Sequence, residues 1–214
     1  MGFDGEQKFL EGAVALDLPV EASNLVLFNR YFRLLEKWNK IYNLTGIKNT
    51  ATWWTHHFLD CLAIEKHLPG NSLIDVGSGA GFPGVVLAIT NPDKQVTLLD
   101  SSQKKCAFLR EVVADLHLAN LEVVLIRAED FNPGKTFSCV VSRAFSSLNS
   151  FLDKTSHLCK EEGFLVAMKG RVNRLEIKSL PLKCMSRVVP LDIPFLQEER
   201  HLVFMTPMRQ KVRV

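Results

Sequence analysis

Three glycines within five positions, Gly77, Gly79 and Gly81, stand in the segment DVGSGAGFPG, which runs from Asp75 to Gly84. Glycine at that spacing lets the backbone turn sharply and lie against a ligand with no Cβ in the way. The free N–H groups of the helix that opens at Pro83 then point at the same ligand. Two carboxylates flank the loop. Asp75 comes directly before the glycines, and Asp100 closes the apolar run QVTLLD. At the end of a strand, a carboxylate such as Asp100 can accept both hydroxyls of a ribose. The pattern is that of a cradle for a nucleoside-bearing cofactor.

Asp75 discriminates between the two common occupants of such a cradle. Beside a dinucleotide's pyrophosphate, in a poorly screened site, it would meet a like charge. The methionine moiety of S-adenosylmethionine instead brings an ammonium and a sulfonium, which a carboxylate stabilises directly or through water. The charge pattern therefore favours S-adenosylmethionine over NAD. Local roles stand beside these: Asp75 can cap the amides of its own loop, and Asp100 can cap the helix after it. A third contact region is RAED (Arg127 to Asp130), where Glu129 or the backbone around Ala128 reaches an adenine edge if neighbouring strand ends share one crevice.

Beyond the cofactor loop, the fourth apolar run leads into SRAF (Ser142 to Phe145), where amino-group methyltransferases usually carry an Asn/Asp-Pro-Pro-aromatic motif. No Pro-Cys pair offers the nucleophile of pyrimidine C5 chemistry. Arg143 faces the crevice and can hold a phosphate, a guanine edge or the cofactor carboxylate; its structural alternative is an ion pair with Asp75 or Glu129. Lys169, after the fifth run, can steer a phosphate or lie on a solvated loop. Both are positioning candidates, and no residue is assigned as a catalyst. His56 and His57 are adjacent, so they point apart and do not make a metal site.

The elements that must position these groups follow from periodicity. Leu25, Phe28, Phe32, Leu35 and Trp38 predict an amphipathic helix over Glu21 to Lys40, and a second runs from about Thr50 to His67. Beyond residue 70, short apolar runs alternate with helical ones. Strands are expected at Ser72 to Val76, the run ending at Asp100, Leu121 to Ile126, Ser138 to Val141 and Phe164 to Met168. Helices are expected over Pro83 to Thr90, with Pro at the first position, after Ser101 or Ser102, and over Leu148 to Lys160. Met185 to Leu191 and His201 to Met205 form a terminal hairpin. This is an α/β chain: a Rossmann-like, mostly parallel seven-stranded sheet with helices on both faces and a C-terminal antiparallel hairpin. The expected organisation is one domain, 1–214, with a helical N-terminal extension (1–69) before the core (70–214).

The sequence has 214 residues, 47% hydrophobic and 23% charged, with a formal charge of +3. That balance permits a polyanionic partner without arguing for one, so any nucleic-acid surface must come from local clustering of cations. Lys37, Lys40 and Lys48 flank one segment, and Lys104, Lys105 and Arg110 follow Asp100. Lys169, Arg171 and Arg174 follow the fifth strand, and Arg209, Lys211 and Arg213 form a basic tail. Lys104, Lys105, Lys169 and Arg171 are the RNA-binding candidates. Trp53, Trp54 and Tyr42 can stack a base, although Trp54 at helical spacing suits a core. Five dispersed cysteines (Cys61, Cys106, Cys139, Cys159 and Cys184) without a C-x-x-C pair suit buried, reduced thiols. With no secretory pattern and no bilayer-spanning run, a cytoplasmic location is expected.

Several strings together resemble the glucose-inhibited division protein B family, also called ribosomal RNA small-subunit methyltransferase G. They are WNKIYNLTGI (Trp38 to Ile47), DVGSGAGFPG, LLDSSQKKCAFL (Leu98 to Leu109), RAEDF (Arg127 to Phe131), VVSRAFSSL (Val140 to Leu148), MKG (Met168 to Gly170) and ERHLV (Glu199 to Val203). The likeness covers nearly the whole chain. It implies S-adenosylmethionine as cofactor and methylation of N7 of a guanine in the decoding-region loop of 16S ribosomal RNA. It also implies that Gly77, Phe82, Ala128, Glu129 and Arg143 contact the cofactor, beside Asp75, Gly79 and Asp100; the family often has Leu at the place of Phe82, which keeps an apolar wall. N7 of guanine has an in-plane lone pair and no proton, so in-line transfer needs no general base. The implied partner is 16S ribosomal RNA or the small ribosomal subunit, with the protein a monomer and no metal or membrane involved. Two other readings stand beside it. One is an NAD-dependent oxidoreductase, which lacks a proton-relay Tyr, Lys or His in the crevice. The other is an RNA-binding assembly factor with a vestigial pocket, against which Asp75, the glycines and Asp100 speak.

Overall fold

The structure is a computed structural model that describes residues 3–206. Seven strands form one sheet: β1 (Ser72–Val76), β2 (Gln95–Asp100), β3 (Leu121–Leu125), β4 (Phe137–Ser142), β5 (Cys159–Lys169), β6 (Met185–Leu191) and β7 (Arg200–Thr206). Their order is β3-β2-β1-β4-β5-β7-β6. The first five run parallel, and the β6–β7 hairpin adds antiparallel strands to one edge. The central strands are apolar because both of their faces are covered. Leu73, Cys139, Val141 and Val166 meet α4 (Gly84–Thr90) and α5 (Gln103–Leu116) on one face. Ile74, Val76, Val140 and Leu165 meet α6 (Leu148–Thr155) on the other. The winding reverses between the adjacent strands β1 and β4, which opens a crevice beyond their carboxyl ends.

The N-terminal extension thickens the first face. Helix α2 (Ala22–Tyr42) corresponds to the expected amphipathic helix, but α1 (Phe3–Ala15) was not anticipated. Its glycines look like helix breakers, yet they serve close packing: a Cβ on Gly5 would lie 2.6 Å from the Ala51 carbonyl oxygen, and one on Gly12 2.5 Å from Leu59 Cδ2. The second expected helix, Thr50 to His67, is broken into a 3₁₀ turn (Thr50–Thr52), a π-helical stretch (Trp54–Leu59), a short α3 (Asp60–Leu62) and a further 3₁₀ turn (Glu65–His67). Its wide middle turn carries Trp54 and Phe58 into an aromatic cluster with Phe9, Phe28 and Phe32, at centroid separations from 4.8 to 6.2 Å.

Smaller departures have local causes. Pro83 occupies the N-cap of α4 instead of its first turn, after a cis peptide bond from Phe82. α6 stops at Thr155, short of the expected Lys160, and β5 begins at Cys159. The β4–β5 register shifts between Phe137 and Cys139, where Gly163 passes too close to Ser138 for a Cβ. α7 (Arg174–Lys178) follows β5. Cys61, Cys106, Cys139 and Cys159 are buried free thiols and Cys184 is half-buried. Among the described residues, no helix is long and apolar enough to cross a membrane.

The extension also reaches the glycine loop. Tyr31 of α2 is fully buried, and its hydroxyl donates to the carbonyl oxygen of Ala80. Its ring packs against Phe82 and Phe58, each at 5.3 Å. Gly81, at φ +98°, leaves no room for a side chain beneath that hydroxyl. Tyr31→Phe strands a buried carbonyl, and the expected cost is about 1–3 kcal/mol. A urea titration should show a lower midpoint with an unchanged slope; an unmoved midpoint would show that the bond adds nothing to stability.

Candidate functional site

Two cavities share the crevice beyond β1 and β4, and Gly77, Lys105 and Ala144 line both. The smaller, about 280 Å³, lies over the ends of β2 and β3, with Asp100, Ile126, Ala128 and Glu129 in its wall. The larger, about 520 Å³, is enclosed by the glycine loop, Phe82 and Arg143 on one side and by Thr45, His57 and Asp60 of the extension on another. Gly77 and Gly79 hold φ of +73° and +62°, and a Cβ on Gly77 would come within 3.0 Å of Ala144 Cβ. The loop is thus narrow at the point where the cavities meet, and only glycine leaves it open.

Asp100 is held by backbone amides on both of its oxygens. Oδ2 accepts from Gly79 N at 2.9 Å, and Oδ1 accepts from Ser102 N at 2.8 Å. The expected helix-capping role is therefore present, and the same carboxylate still faces the smaller cavity, with Lys105 Nζ 3.7 Å away. The side chains of Ser101 and Ser102 are not needed as caps; Ser102 takes the N-cap position without a side-chain bond.

Asp75 is fully buried and belongs to neither cavity wall. Its Oδ2 accepts from the first amide of α4, Gly84 N, at 2.9 Å, while Oδ1 has no hydrogen-bond partner among the described residues. The side chain passes beneath α4, where a Cβ on Gly84 would lie 3.0 Å from Oδ2, so the capping role expected for it is present. Burial pushes its carboxyl up to about 7, against the opposing pull of the Gly84 amide and of Arg143.

Arg143 lies in the larger cavity, paired with neither Asp75 nor Glu129. Its Nη1 is 3.4 Å from Asp60 Oδ2, its Nη2 is 3.3 Å from His57 Nδ1, and the guanidinium lies 5.5 Å from the centre of the Phe82 ring. Arg200 Nε takes the other oxygen of Asp60 at 2.9 Å. Glu129 instead pairs with Lys154 at 3.3 Å on the rim of the smaller cavity. Lys169 lines the larger cavity and pairs with Glu176 at 3.0 Å, so it is not a free loop cation. Thr45, His57, Asp60 and Arg200 were missed as site residues. The one available signal was Asp60 itself, an acid inside the apolar run FLDCLAI that burial obliges to find a cation.

The expected RNA groups are dispersed. Lys105 lines both cavities, and Lys104 Nζ lies 6.0 Å from the centre of the Tyr42 ring, which is 42% exposed. Arg171 is exposed, 3.9 Å from Glu199, and Lys37 is similarly distant from Glu111. Lys40, Lys48, Arg110 and Arg174 are exposed. Trp53 and Trp54 are buried and present no face to a base; Trp53 Nε1 donates to the Ile47 carbonyl at 2.8 Å. The tail residues Arg209, Lys211 and Arg213 lie outside the described residues.

A family model described as rRNA small subunit methyltransferase G matches residues 24–203. The chain belongs to that family. Ribosomal RNA small subunit methyltransferase G of Methylobacillus flagellatus is 46% identical over 197 residues, covering 92% of this chain and 94% of its own. The protein of the same name from Nitrosococcus oceani is 41% identical over 206 residues, 96% of each chain. Among solved structures, a SAM dependent methyltransferase from Aquifex aeolicus superposes with a TM-score of 0.58 at 17% identity, over 80% of this chain and 97% of that one. The Pyrococcus abyssi tRNA (uracil-54, C5)-methyltransferase, in complex with S-adenosyl-L-homocysteine, gives 0.53 at 17% identity, over 68% and 36%. At that identity the likeness is one of fold. Membership of the methyltransferase G family sets aside the oxidoreductase reading of the glycine loop, and the expected fold class stands.

Two consequences are measurable. Asp100→Ala removes charge-assisted bonds worth about 1.5–3 kcal/mol, so S-adenosylhomocysteine should bind roughly ten- to a hundredfold more weakly in calorimetry; equal affinity would reduce Asp100 to a helix cap. Asp75 titrates higher in the folded state than the ordinary carboxylate value of 3.8, so the folded state holds its proton more tightly. Stability is then lost as pH rises from about 4 to about 7 and is level above that. Asp75→Asn should flatten this slope in thermal melts, and an identical slope would show that Asp75 does not cause it.

Proposed function

We propose that this protein transfers the methyl group of S-adenosylmethionine to N7 of a guanine in 16S ribosomal RNA. The carrying observation is the pair of cavities joined over β1 and β4, narrowed by Gly77 and Ala144 and walled at opposite ends by Asp100 and Arg143. That shape suits a long ligand with a nucleoside at one end and an amino acid at the other. Asp100 holds the ribose, and Ala128 and Glu129 border the adenine. Gly77 and Gly79 pass the chain of the ligand through, Phe82 supplies an apolar wall, and Arg143 answers a carboxylate. Asp75 acts from beneath the loop by fixing the start of α4.

When bound, the cofactor supplies an electrophilic sulfonium methyl. N7 of guanine presents its lone pair without losing a proton, so this chain has no base to provide. Its contribution is alignment and a fixed electrostatic field. Arg143 and Lys169 are positioning residues on this reading, both held by carboxylates. Lys105 and Lys169, on the cavity wall, and Lys104 and Arg171, outside it, are the groups that supply phosphate contacts, with Tyr42 beside Lys104. The whole chain works as one unit, since the extension forms part of the larger cavity. The names of its relatives support a ribosomal RNA substrate.

The test is transfer of labelled methyl from S-adenosylmethionine to small ribosomal subunits that lack their own guanine-N7 methylation, followed by identification of the product base. Label in 7-methylguanine at a single 16S position is the expected result. RNA binding without turnover would instead favour an assembly factor with a vestigial pocket.

A further inference from the structure

One polar group in the larger cavity has its hydrogen-bonding role fixed by its neighbours. Thr45 lies in the loop after α2, where Asn39 Oδ1 accepts from its N–H at 2.9 Å. The Trp53 indole pins the same loop through the Ile47 carbonyl. Thr45 Oγ1 sits 2.7 Å from His57 Nε2 and accepts from Ile47 N at 3.2 Å. The other imidazole nitrogen, Nδ1, faces Arg143 Nη2 at 3.3 Å.

A guanidinium only donates, so His57 Nδ1 must accept. The proton of the neutral imidazole then resides on Nε2. Burial, together with Arg143 and His56, pushes His57 down to about 3, which keeps the ring neutral at ordinary pH. Its stacking on Phe82, at 4.6 Å and 18° between planes, fixes the ring's orientation. Nε2–H therefore donates to Thr45 Oγ1.

A hydroxyl has two acceptor lone pairs and one donor. In Thr45 both lone pairs are taken, by His57 and by Ile47. What remains is a single O–H, and among the described residues no acceptor meets it, although Thr45 lines the cavity together with the glycine loop and Phe82. The relay that begins at Arg143 thus turns this hydroxyl into a committed donor.

We propose that the Thr45 hydroxyl donates to O6 of the acceptor guanine, and that it selects a purine with a carbonyl beside N7 over one with an amino group there. The inference rests on the guanine-N7 reading above. In guanine, O6 and N7 share one edge, so a donor to O6 also sets the direction in which N7 faces. Adenine would bring an N–H to an oxygen with no lone pair left to receive it.

The test measures kcat/KM for methyl transfer to small subunits carrying either guanine or 2-aminopurine at the methylated position. 2-Aminopurine keeps N7 and lacks O6. With guanine, Thr45→Val should lose roughly three- to tenfold, the worth of one neutral hydrogen bond, and Thr45→Ser should recover most of it. With 2-aminopurine, wild type and Thr45→Val should be equal. S-adenosylhomocysteine affinity should be the same for all three proteins. An equal loss for Thr45→Val on both bases would overturn the proposal. So would a fall in S-adenosylhomocysteine affinity, which would place the hydroxyl on the cofactor's carboxylate. Thr45→Ala supplies the same cycle if valine is not accommodated. Wild-type product other than 7-methylguanine would defeat the guanine reading itself, separately from any result with Thr45.

Discussion

Three distant stretches of the chain meet at the carboxylate of Asp60. The residue sits on the irregular helical stretch of the extension, with its side chain only 4% exposed, between Arg143 at the end of β4 and Arg200 at the start of β7. A carboxylate so removed from water requires cationic partners, and losing one member of such a cluster costs on the order of 3–5 kcal/mol. The extension is therefore fixed to the core at the cavity itself and not merely laid against its face. Arg143 gains a defined direction from this. One nitrogen is held by Asp60, another meets His57, and Phe82 lies beneath the guanidinium. His57 and, through it, Thr45 are tied to that anchoring by way of Arg143.

The glycine loop is held from several sides by the same economy of contacts. Tyr31 takes the Ala80 carbonyl from the extension, Asp100 takes the Gly79 amide from β2, and Asp75 takes the Gly84 amide from β1. Three separate elements thus define a segment that has positive φ at Gly77, Gly79 and Gly81. Such a loop has its conformational entropy removed by folding instead of by ligand, which is the physical content of preorganisation. Asp100 shows how compact the arrangement is, since one carboxylate fixes the loop, starts α5 and faces the smaller cavity.

What was legible in the sequence was what depends on local pattern. The seven strands, the glycine loop and the acid ending β2 are written in short windows, and they lie where periodicity and strand ends place them. The roles of paired charges were not. Arg143 could be placed in the crevice, but its partner Asp60 is 83 residues away, a distance over which spacing carries no information. Asp75 was taken as a candidate ligand contact because it adjoins the glycines, yet its direction depends on how α4 packs over β1. The glycines of α1 hid a helix because close approach to Ala51 and Leu59 is a tertiary fact. Trp53 looked available to a base for a similar reason, since the wide turns after Thr52 rotate it inward.

The charge balance of the larger cavity is consistent with the proposed chemistry. Lys105, Lys169, Arg143 and Arg200 all line it, and Asp100, Glu176 and Asp60 answer them. Methyl transfer from a sulfonium to a neutral guanine moves one positive charge from sulfur to the base and leaves the total unchanged. A field set by paired side chains suits a reaction of that kind, because no side chain must change protonation as the bond forms. His57 is buried between Arg143 and Thr45, and its Nδ1 faces Arg143 Nη2 at 3.3 Å, a nitrogen that can only donate. His56 and His201 also line the cavity, and an acceptor atom bearing a lone pair and no proton calls on none of these imidazoles as a base.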